Sequence, residues 1–470
     1  MKTQLNCTFI ARIFFYCLAF LSNSLSGSAQ QRPNIIILFA DDMGYGDLQC
    51  YGNPTIKTPH LDALAAEGIR FTSYTASAWC TPSRAELMTG RYSKRIDWNE
   101  NAGSGGKDGL PDSELTLAEG LRRAGYATGM AGKWHLGYYQ KKFLPTNKGF
   151  DSWLGLPYSN DYKKPYVNTD VPLVMYRDTT VVEYPVNQDS MMIKYTSEAI
   201  RYIKKNSAAG KPFFFYLAYQ MPHLPLHPPK AFLGKSGAGL YGDVIEALDW
   251  SVGKILQTLK EQGIEQNTIV FFASDNGPWQ HAPDRMFQQP QEPEGSDWER
   301  HNQLYGTGNK PWDAGSAGPL KGYKATTYEG GPRVPAMIRW PGHIKAGQTS
   351  DEMVSNLDIF TTFLHAGGGQ RPDHTTDGLD MMPFFTGKEK HSPRNEFAYF
   401  LWGKLEAMRL GDWKLRTVNG IEELFNLQTD PGEKYNRAEE HPEIVKEIKL
   451  KMQTLANETH AKIDFTEIKK

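Results

Sequence analysis

Cysteine, net charge and long apolar runs are all scarce in this chain. Only 4 of its 470 residues are cysteine, and two of these, Cys7 and Cys17, lie near its beginning. The formal net charge of −1 gives no overall attraction to nucleic acid or to a charged lipid surface. The one markedly apolar run, residues 13–21, is too short to span a membrane as a helix. These absences argue against a disulfide scaffold, a nucleic-acid-binding protein and a membrane-spanning chain.

The beginning of the chain has the composition of a secretory signal. Lys2 and Arg12 precede the apolar run, and small residues follow it, which is the usual order in a cleaved signal. We expect residues 1–29 to be removed from an exported protein. Only two cysteines then remain, which are too few for a disulfide framework. An exported protein without disulfides favours the periplasm of a Gram-negative bacterium, and secretion is the alternative.

Short apolar runs alternate with helical segments over most of the chain. The runs that predict buried strands are residues 34–40, 127–132, 212–219, 268–274 and 334–340. The segments that predict helices are residues 58–67, 116–124, 189–205 and 243–262. Strands that alternate with helices form a mostly parallel sheet covered on both faces. The sequence therefore predicts an α/β fold with a large mixed, mostly parallel sheet sandwiched by helices.

The pattern changes near the glycines at 367–369, where shorter strand-like runs begin. These runs are residues 397–402, 405–410 and 413–418, and an amphipathic helix follows at 443–458. We therefore predict a signal at 1–29, a large N-terminal domain at 30–366, and a smaller C-terminal α+β subdomain with a short antiparallel sheet at 367–470.

Polar side chains follow four of the predicted strands, at the point where each strand ends. They are Asp41 and Asp42 after the first strand, Lys133 to His135 after the second, His223 after the third, and Asp275 and Asn276 after the fourth. In open α/β sheets the active site lies at the carboxyl ends of the strands. This convergence predicts an enzyme without any reference to known proteins.

The run C-T-P-S-R-A-E-L-M-T-G-R begins at Cys80 and predicts a helix. Pro82 suits a first helical turn, and Gly90 is a natural helix stop. A lone cysteine is usually a small buried apolar residue, but Cys80 lies at a helix N-terminus, where free N–H groups favour an anion. Arg84 lies one turn further along the same face. Such a place suits a nucleophile that must meet an anionic substrate.

This run resembles the signature of the formylglycine-dependent, type I sulfatases of the alkaline phosphatase superfamily. The resemblance implies an alkaline phosphatase-like fold. It also implies that a maturation enzyme oxidises Cys80 to formylglycine, whose hydrate attacks the sulfur of a sulfate ester. Within the family, the chain is similar to the group of arylsulfatase A and N-acetylgalactosamine-6-sulfatase.

Two further runs resemble the halves of the sulfatase metal site. They are D-D-M-G-Y-G-D, which begins at Asp41, and D-N-G, which begins at Asp275. By this resemblance the ligands of one Ca²⁺ are Asp41, Asp42, Asp275, Asn276 and the modified Cys80. Adjacent carboxylates at a strand end suit a hard cation. Oxygen ligands alone would also suit Mg²⁺ or Mn²⁺.

The runs G-K-W-H-L-G and P-H-L-P resemble two catalytic elements of the same family. The resemblance implies that Lys133 neutralises the sulfate, that His135 acts as a base, and that His223 contacts the ester oxygen. His227 lies nearby, but the spacing favours His223.

The run K-A-T-T-Y-E-G-G resembles a fourth element, in which Lys324 is the sulfate-binding lysine, and Lys321 is its rival. The run G-L-P-Y-S-N-D resembles a segment of the arylsulfatase A-like members and implies that Ser159 touches the sulfate. Two irregular segments, residues 99–112 and 277–320, are expected to shape the substrate pocket.

The leading hypothesis is therefore a hydrolase that removes O-sulfate from a carbohydrate. The 11 tryptophans and 23 tyrosines, where they are not packed in the core, suit sugar stacking. Galactose- or hexosamine-type sugars are favoured by the resemblance. The expected partners are this sulfated sugar and the maturation enzyme, without nucleic acid or a membrane span. The alternatives are a phosphonate monoester or phosphodiester hydrolase with the same nucleophile, and a non-catalytic glycan-binding protein.

Overall fold

The computed structural model describes residues 32–98, 101–103, 107–163, 166–280 and 314–465. The predicted signal, most of the 277–320 segment and part of the 99–112 segment lie outside the described residues. From Pro33 onward the described residues belong to one compact unit. The predicted boundary between residues 366 and 367 stays a prediction.

Among the described residues, ten strands form one large sheet. In chain order they are β1 (Asn34–Ala40), β2 (Ile69–Phe71), β4 (Ala127–Gly132), β5 (Ser152–Gly155), β6 (Met175–Arg177), β7 (Thr180–Glu183), β8 (Phe213–Ala218), β9 (Thr268–Ser274), β10 (Ala336–Arg339) and β11 (Gln348–Ser350). Their spatial order is β11-β2-β10-β9-β1-β8-β4-β5-β6-β7. The β9-β1-β8-β4-β5 centre is parallel, whereas β10, β6 and β7 pair antiparallel. A two-stranded ladder joins β3 (Tyr74–Thr75) to β12 (Val354–Ser355).

Helices cover both faces of this sheet because its central strands are apolar on both sides. They are α1 (Pro59–Ala66), α2 (Cys80–Thr89), α3 (Leu117–Arg123), α4 (Met191–Ala208), α5 (Gly239–Glu261), α6 (Asn356–Ala366) and the single turn α7 (Met382–Phe385). Ile36 and Leu38 of β1 pack with α1, α4 and α5, whereas Ile35 and Ile37 pack with α2, α3 and α6. This layered arrangement confirms the predicted fold class.

Four antiparallel strands form a second, smaller sheet near the end of the chain. They are β13 (Glu396–Leu401), β14 (Lys404–Leu410), β15 (Trp413–Val418) and β16 (Ile421–Asn426), and α8 (Pro442–Thr459) packs on them. Each strand follows its neighbour through a two-residue turn, since Leu401 pairs with Lys404, Leu410 with Trp413, and Val418 with Ile421. The predicted short antiparallel sheet is confirmed.

A buried ion cluster joins the small sheet to the loop that follows residue 320. The Lys414 ammonium of β15 lies 2.9 Å from Glu329 Oε1 and 2.9 Å from Glu433 Oε1. Tyr399 also donates a hydrogen bond to Glu329 Oε1, at 3.0 Å. Burial raises the pKa of Glu329, but the opposing effect of Lys414, Arg333 and Arg409 is larger in total and lowers it to about 2. The loop is therefore held in place by the small sheet.

We expect the Lys414→Met substitution to destabilise the protein by about 3–5 kcal/mol, because it leaves Glu329 and Glu433 buried without their cation. Urea unfolding would measure the loss. The control is Lys451→Met, which removes a partly exposed ion pair between α8 and Glu396 of the same sheet and is expected to cost far less. Equal losses for the two variants would contradict the structural role of the buried cluster.

Candidate active site

The polar residues predicted at the strand ends meet at one edge of the large sheet. Asp41 and Asp42 follow β1, Lys133 follows β4, and Asp275 and Asn276 follow β9. Because β9, β1, β8 and β4 are neighbouring parallel strands, their carboxyl ends deliver these side chains to the same place. All of them are buried. The predicted convergence is thus present in the structure.

Cys80 is the first residue of α2, and its side chain points at the two aspartates. The Sγ atom lies 3.5 Å from Asp41 Oδ1 and 3.8 Å from Asp42 Oδ1. Trp79 caps the helix in an extended conformation. Burial raises the pKa of the Cys80 thiol well above its usual value. Because the thiolate is the reactive form of cysteine, the unmodified thiol is a poor nucleophile here.

Arg84 lies one turn further along α2 and bridges two of the carboxylates. Its Nη2 lies 2.8 Å from Asp275 Oδ2 and 3.5 Å from Asp41 Oδ1. Its Nη1 donates a hydrogen bond to the carbonyl oxygen of Lys133, at 3.3 Å. The guanidinium is completely buried, so its charge is committed to this site.

Two lysines complete the set of cations around the aspartate pair. Lys133 Nζ lies 2.7 Å from Asp41 Oδ2, and Lys324 Nζ lies 2.7 Å from Asp42 Oδ1. Burial alone would raise the pKa of Asp41, but the charges of Lys133, Arg84 and Lys324 hold it well below its usual value. The pKa of Asp42 is raised by burial, which Lys324 only partly offsets.

Lys321, the rival of Lys324, lies elsewhere. Its ammonium is 4.0 Å from the ring centroid of Tyr328 and 3.7 Å from Glu423 Oε1, and its side chain is 40% exposed. The structure therefore brings Lys324, and not Lys321, into contact with the aspartates.

The donor atoms at this edge fit a hard cation. Potential ligand atoms of Asp41, Asp42, Cys80 and His223 lie within 4.8 Å of one another. Asn276 donates from Nδ2 to Asp42 Oδ1 at 2.7 Å, and this leaves its buried Oδ1 without a hydrogen-bond partner. A cluster of carboxylate oxygens with a free amide oxygen suits Ca²⁺, Mg²⁺ or Mn²⁺.

Asp275 is hydrogen-bonded within the candidate cation site, whereas His223 lies at its border. Asp275 accepts a hydrogen bond from the backbone N–H of Asp42 at 3.1 Å through Oδ1, while Oδ2 accepts one from Arg84. Burial and the charge of Asp41 raise the pKa of Asp275 to about 7. His223 Nε2 lies 3.7 Å from Asp42 Oδ2, so the histidine assigned by sequence to the ester oxygen also borders the candidate cation site.

Ser159 links Lys133 to His223. Lys133 Nζ donates to Ser159 Oγ at 3.2 Å, and Ser159 Oγ lies 3.2 Å from His223 Nε2. His223 Nδ1 lies 2.6 Å from the Leu224 carbonyl. Because a carbonyl only accepts, Nδ1 carries the hydrogen and Nε2 accepts from Ser159. Burial, with Lys324, lowers the pKa of His223, which keeps this ring neutral. His227 instead lies 2.8 Å from Asp189.

His135 has one buried ring nitrogen without a hydrogen-bond partner. Its backbone has a φ of 58°, in the left-handed region that is strained for most residues. Its Nε2 lies 3.1 Å from the Ala102 carbonyl, whereas its buried Nδ1 has no hydrogen-bond partner. Burial, followed by the charge of Lys133, lowers its pKa well below the usual value. A neutral ring with a free acceptor nitrogen suits a base.

Two tryptophans at the site were not predicted from the sequence. Lys324 Nζ lies 4.2 Å from the ring centroid of Trp279 and 5.6 Å from that of Trp79. The Trp279 ring is 5.0 Å from that of His223. Their positions in the chain were the available signal, since Trp79 directly precedes Cys80 and Trp279 closely follows Asn276.

Two family models match this chain. The model described as Sulfatase matches residues 33–369, and the model described as N-sulphoglucosamine sulphohydrolase, C-terminal, matches residues 323–458. Together they extend over both sheets of the structure.

Curated relatives and solved structures agree with these matches. The N-acetylgalactosamine-6-sulfatase of Rattus norvegicus is 40% identical over 410 residues, which are 83% of this chain and 72% of the relative. Arylsulfatase A of Homo sapiens is 34% identical over 483 residues, 92% of this chain and 89% of the relative. A solved structure described under the metabolism of multiple glycosaminoglycans by Bacteroides thetaiotaomicron has a TM-score of 0.76 and 29% identity, and the match covers 91% of this chain and 100% of that one.

The donor set predicts that a divalent cation stabilises the protein. We expect Ca²⁺ added to chelator-treated protein to raise the midpoint of thermal unfolding, since a ligand at about 100 times its dissociation constant adds about 2.7 kcal/mol. Asp42→Asn should remove most of this response. The control is Asp249→Asn, which changes a buried carboxylate that accepts hydrogen bonds from the backbone of α1. This variant should show the same rise in the unfolding midpoint with Ca²⁺ as the parent protein. The prediction fails if Ca²⁺, Mg²⁺ and Mn²⁺ all leave the midpoint unchanged.

Proposed function

The chain belongs to the sulfatase family and is a hydrolase of sulfate esters, and we propose that its substrate is an O-sulfated carbohydrate of galactose or hexosamine type. The observation that carries the sulfate part of this proposal is the set of buried cations, Arg84, Lys133 and Lys324, paired with the two aspartates that Cys80 faces. The name of the 40% identical relative supports the sugar class. So does the glycosaminoglycan description of the solved structure.

We propose that Cys80 acts as formylglycine, formed from the cysteine by a maturation enzyme. The high pKa of the buried thiol argues against direct use of the sulfur. The hydrated aldehyde supplies one hydroxyl for attack on sulfur and a second through which sulfate is released. The position of residue 80 at the start of α2 supports this role, because helix N-terminal N–H groups favour an anion.

The three cations are proposed to hold the sulfate and to stabilise the negative charge that develops on its oxygens. Arg84, Lys133 and Lys324 reach the site from three different parts of the fold and are almost completely buried. Fixed charges in a water-poor site stabilise a transition state far more than they would in water. Ser159, within 3.2 Å of Lys133 Nζ, is proposed to contact a sulfate oxygen.

The two histidines are proposed to move protons in the two halves of the reaction. His223, whose Nε2 faces Asp42 and Ser159, is proposed to take up a proton at Nε2 when the anionic substrate binds and to pass it to the departing sugar oxygen, with help from Lys324. His135, whose Nδ1 has no partner, accepts a proton from residue 80 as sulfate leaves. The lowered pKa values of both rings describe the protein before an anionic substrate adds its charge.

We also propose that the resident cation is Ca²⁺, held by Asp41, Asp42, Asp275, Asn276 and the modified residue 80. The free Asn276 oxygen and the proximity of the carboxylates support this assignment. Such a cation supplies positive charge that offsets repulsion between the nucleophile and the sulfate.

Export to the periplasm, with residues 1–29 as the signal, is part of the same proposal. Among the residues that the structure describes, none of the helices has both the length and the apolar character needed to cross a membrane. A catalytic domain at 30–366 and a C-terminal subdomain at 367–470 remain our proposed division of the chain.

Cys80 offers the sharpest test of the nucleophile. Peptide mass spectrometry on protein from a host with the maturation enzyme should show a loss of about 18 Da at Cys80, as expected when a thiol becomes an aldehyde. Cys80→Ser should bind substrate but lose at least about 10³-fold in kcat, because serine lacks the second hydroxyl. The control is Cys50→Ser, which changes the other cysteine among the described residues. An unmodified Cys80, or a fully active Cys80→Ser variant, would refute this nucleophile.

A lysine pair tests the sulfate site. We expect Lys324→Met to lower kcat/KM for an aryl sulfate by about 10²–10³-fold, the usual effect of removing one fixed charge or donor from a transition state. Lys321→Met should retain nearly full activity, since this side chain lies against Tyr328.

The alternative function is tested by measuring the hydrolysis of an aryl phosphodiester and of an aryl sulfate by the parent protein. A higher kcat/KM for the phosphodiester than for the sulfate would favour a phosphodiesterase instead.

A further inference from the structure

The three hairpin turns of the small sheet begin with different residues, Trp402, Gly411 and Asn419. The turn between β15 and β16 is Asn419-Gly420, and both residues have positive φ, of 52° and 74°. The turn between β14 and β15 begins with Gly411, at a φ of 57°. Glycine and asparagine are the residues that such tight hairpins favour, because they tolerate positive φ. These two turns therefore follow the usual chemistry.

The turn between β13 and β14 has a tryptophan where its neighbours have asparagine or glycine. Trp402 has a φ of 51°, Gly403 has a φ of 73°, and the flanking residues Leu401 and Lys404 are paired. A bulky residue at positive φ is unusual and strained. The strain is not explained by core packing, because the Trp402 side chain is 52% exposed. Strained conformations of this kind collect at functional sites.

The Trp402 ring lies beside the candidate active site. It packs edge-on against Trp79, with the ring centroids 4.9 Å apart. Trp79 directly precedes Cys80 and lies 5.6 Å from Lys324 Nζ. The small sheet thus extends an exposed aromatic surface to the residue that adjoins the nucleophile.

We propose that Trp402, together with Trp79, forms an aromatic wall that stacks against the sugar ring of the substrate and so helps to determine specificity. This inference rests on the proposed function, since it names the group that binds the sugar beside the sulfate site. An exposed indole offers a large apolar face at little conformational cost. Trp402 has no place in the chemical step.

Trp402→Asn tests the wall without risking the fold. Asparagine is the residue at the equivalent position of the Asn419-Gly420 turn, so the variant should be at least as stable as the parent to urea. We expect its KM to rise about tenfold for the best substrate in a panel of galactose and hexosamine monosulfates. Its kcat should change little, and the inhibition constant of inorganic sulfate should stay unchanged. Trp402→Phe should recover much of the affinity for the sugar.

The outcomes separate this inference from the proposed function. If the parent protein hydrolyses a sulfated sugar and Trp402→Asn shows the same KM, the aromatic wall is refuted while the function stands. If KM and the inhibition constant of sulfate rise together, Trp402 supports the site only structurally, and the inference is also refuted. If the parent hydrolyses an aryl sulfate but no sugar sulfate in the panel, the proposed carbohydrate substrate fails and the inference fails with it.

Discussion

The burial of two adjacent carboxylates, Asp41 and Asp42, is the constraint on which the rest of the structure depends. A carboxylate in an apolar interior is tolerated only when it is paired and hydrogen-bonded. Lys133 and Lys324 each lie 2.7 Å from one of the pair, and Arg84 reaches Asp41 from a third direction. These cations come from the end of β4, from the loop after residue 320 and from α2. The balance of charge therefore forces distant parts of the chain to meet.

This balance explains how one cluster can be both stable and reactive. In the described structure Lys133 is paired with Asp41, and Lys324 is paired with Asp42. If the two carboxylates hold a divalent cation, as we propose, Lys133 and Lys324 would be less strongly paired with them and could bind an anionic ester. Two histidines adjoin the same cluster: the buried Nδ1 of His135 has no hydrogen-bond partner, and Nε2 of His223 accepts from Ser159. Groups that are costly to bury become useful because the substrate supplies the opposite charge.

The sequence predicted the centre of the fold better than its edges. Residues 34–40, 127–132 and 268–274 form β1, β4 and β9 with the predicted bounds, because apolar runs that end in charged residues mark buried strands. Strands of three or four residues, such as β2 and β11, carry no such pattern and owe their conformation to the partners they pair with. The antiparallel pairing of β10 also depends on neighbours that are distant in sequence.

In the site, as in the fold, local sequence patterns predict some residues, whereas contacts between distant segments are not predicted. Strand-end position and family motifs predict that Asp41, Lys133 and Asp275 lie together, and their side chains meet at one edge of the sheet. The contact between Trp79 and Trp402 has no local signal in the sequence. It joins the N-terminus of α2 to the turn between β13 and β14, and these two elements are far apart in the chain. An exposed aromatic in a tight turn becomes meaningful only once its backbone conformation and its neighbour are known.

The cluster of Lys414, Glu329 and Glu433 has a consequence for the order of events during synthesis. Lys324 belongs to the loop that this cluster holds, so the anion-binding side of the site is assembled only after the last strands have emerged. Cys80 emerges far earlier, yet it is fully enclosed in the finished fold. Any enzyme that alters its side chain must therefore reach it while the chain is still growing or still unfolded.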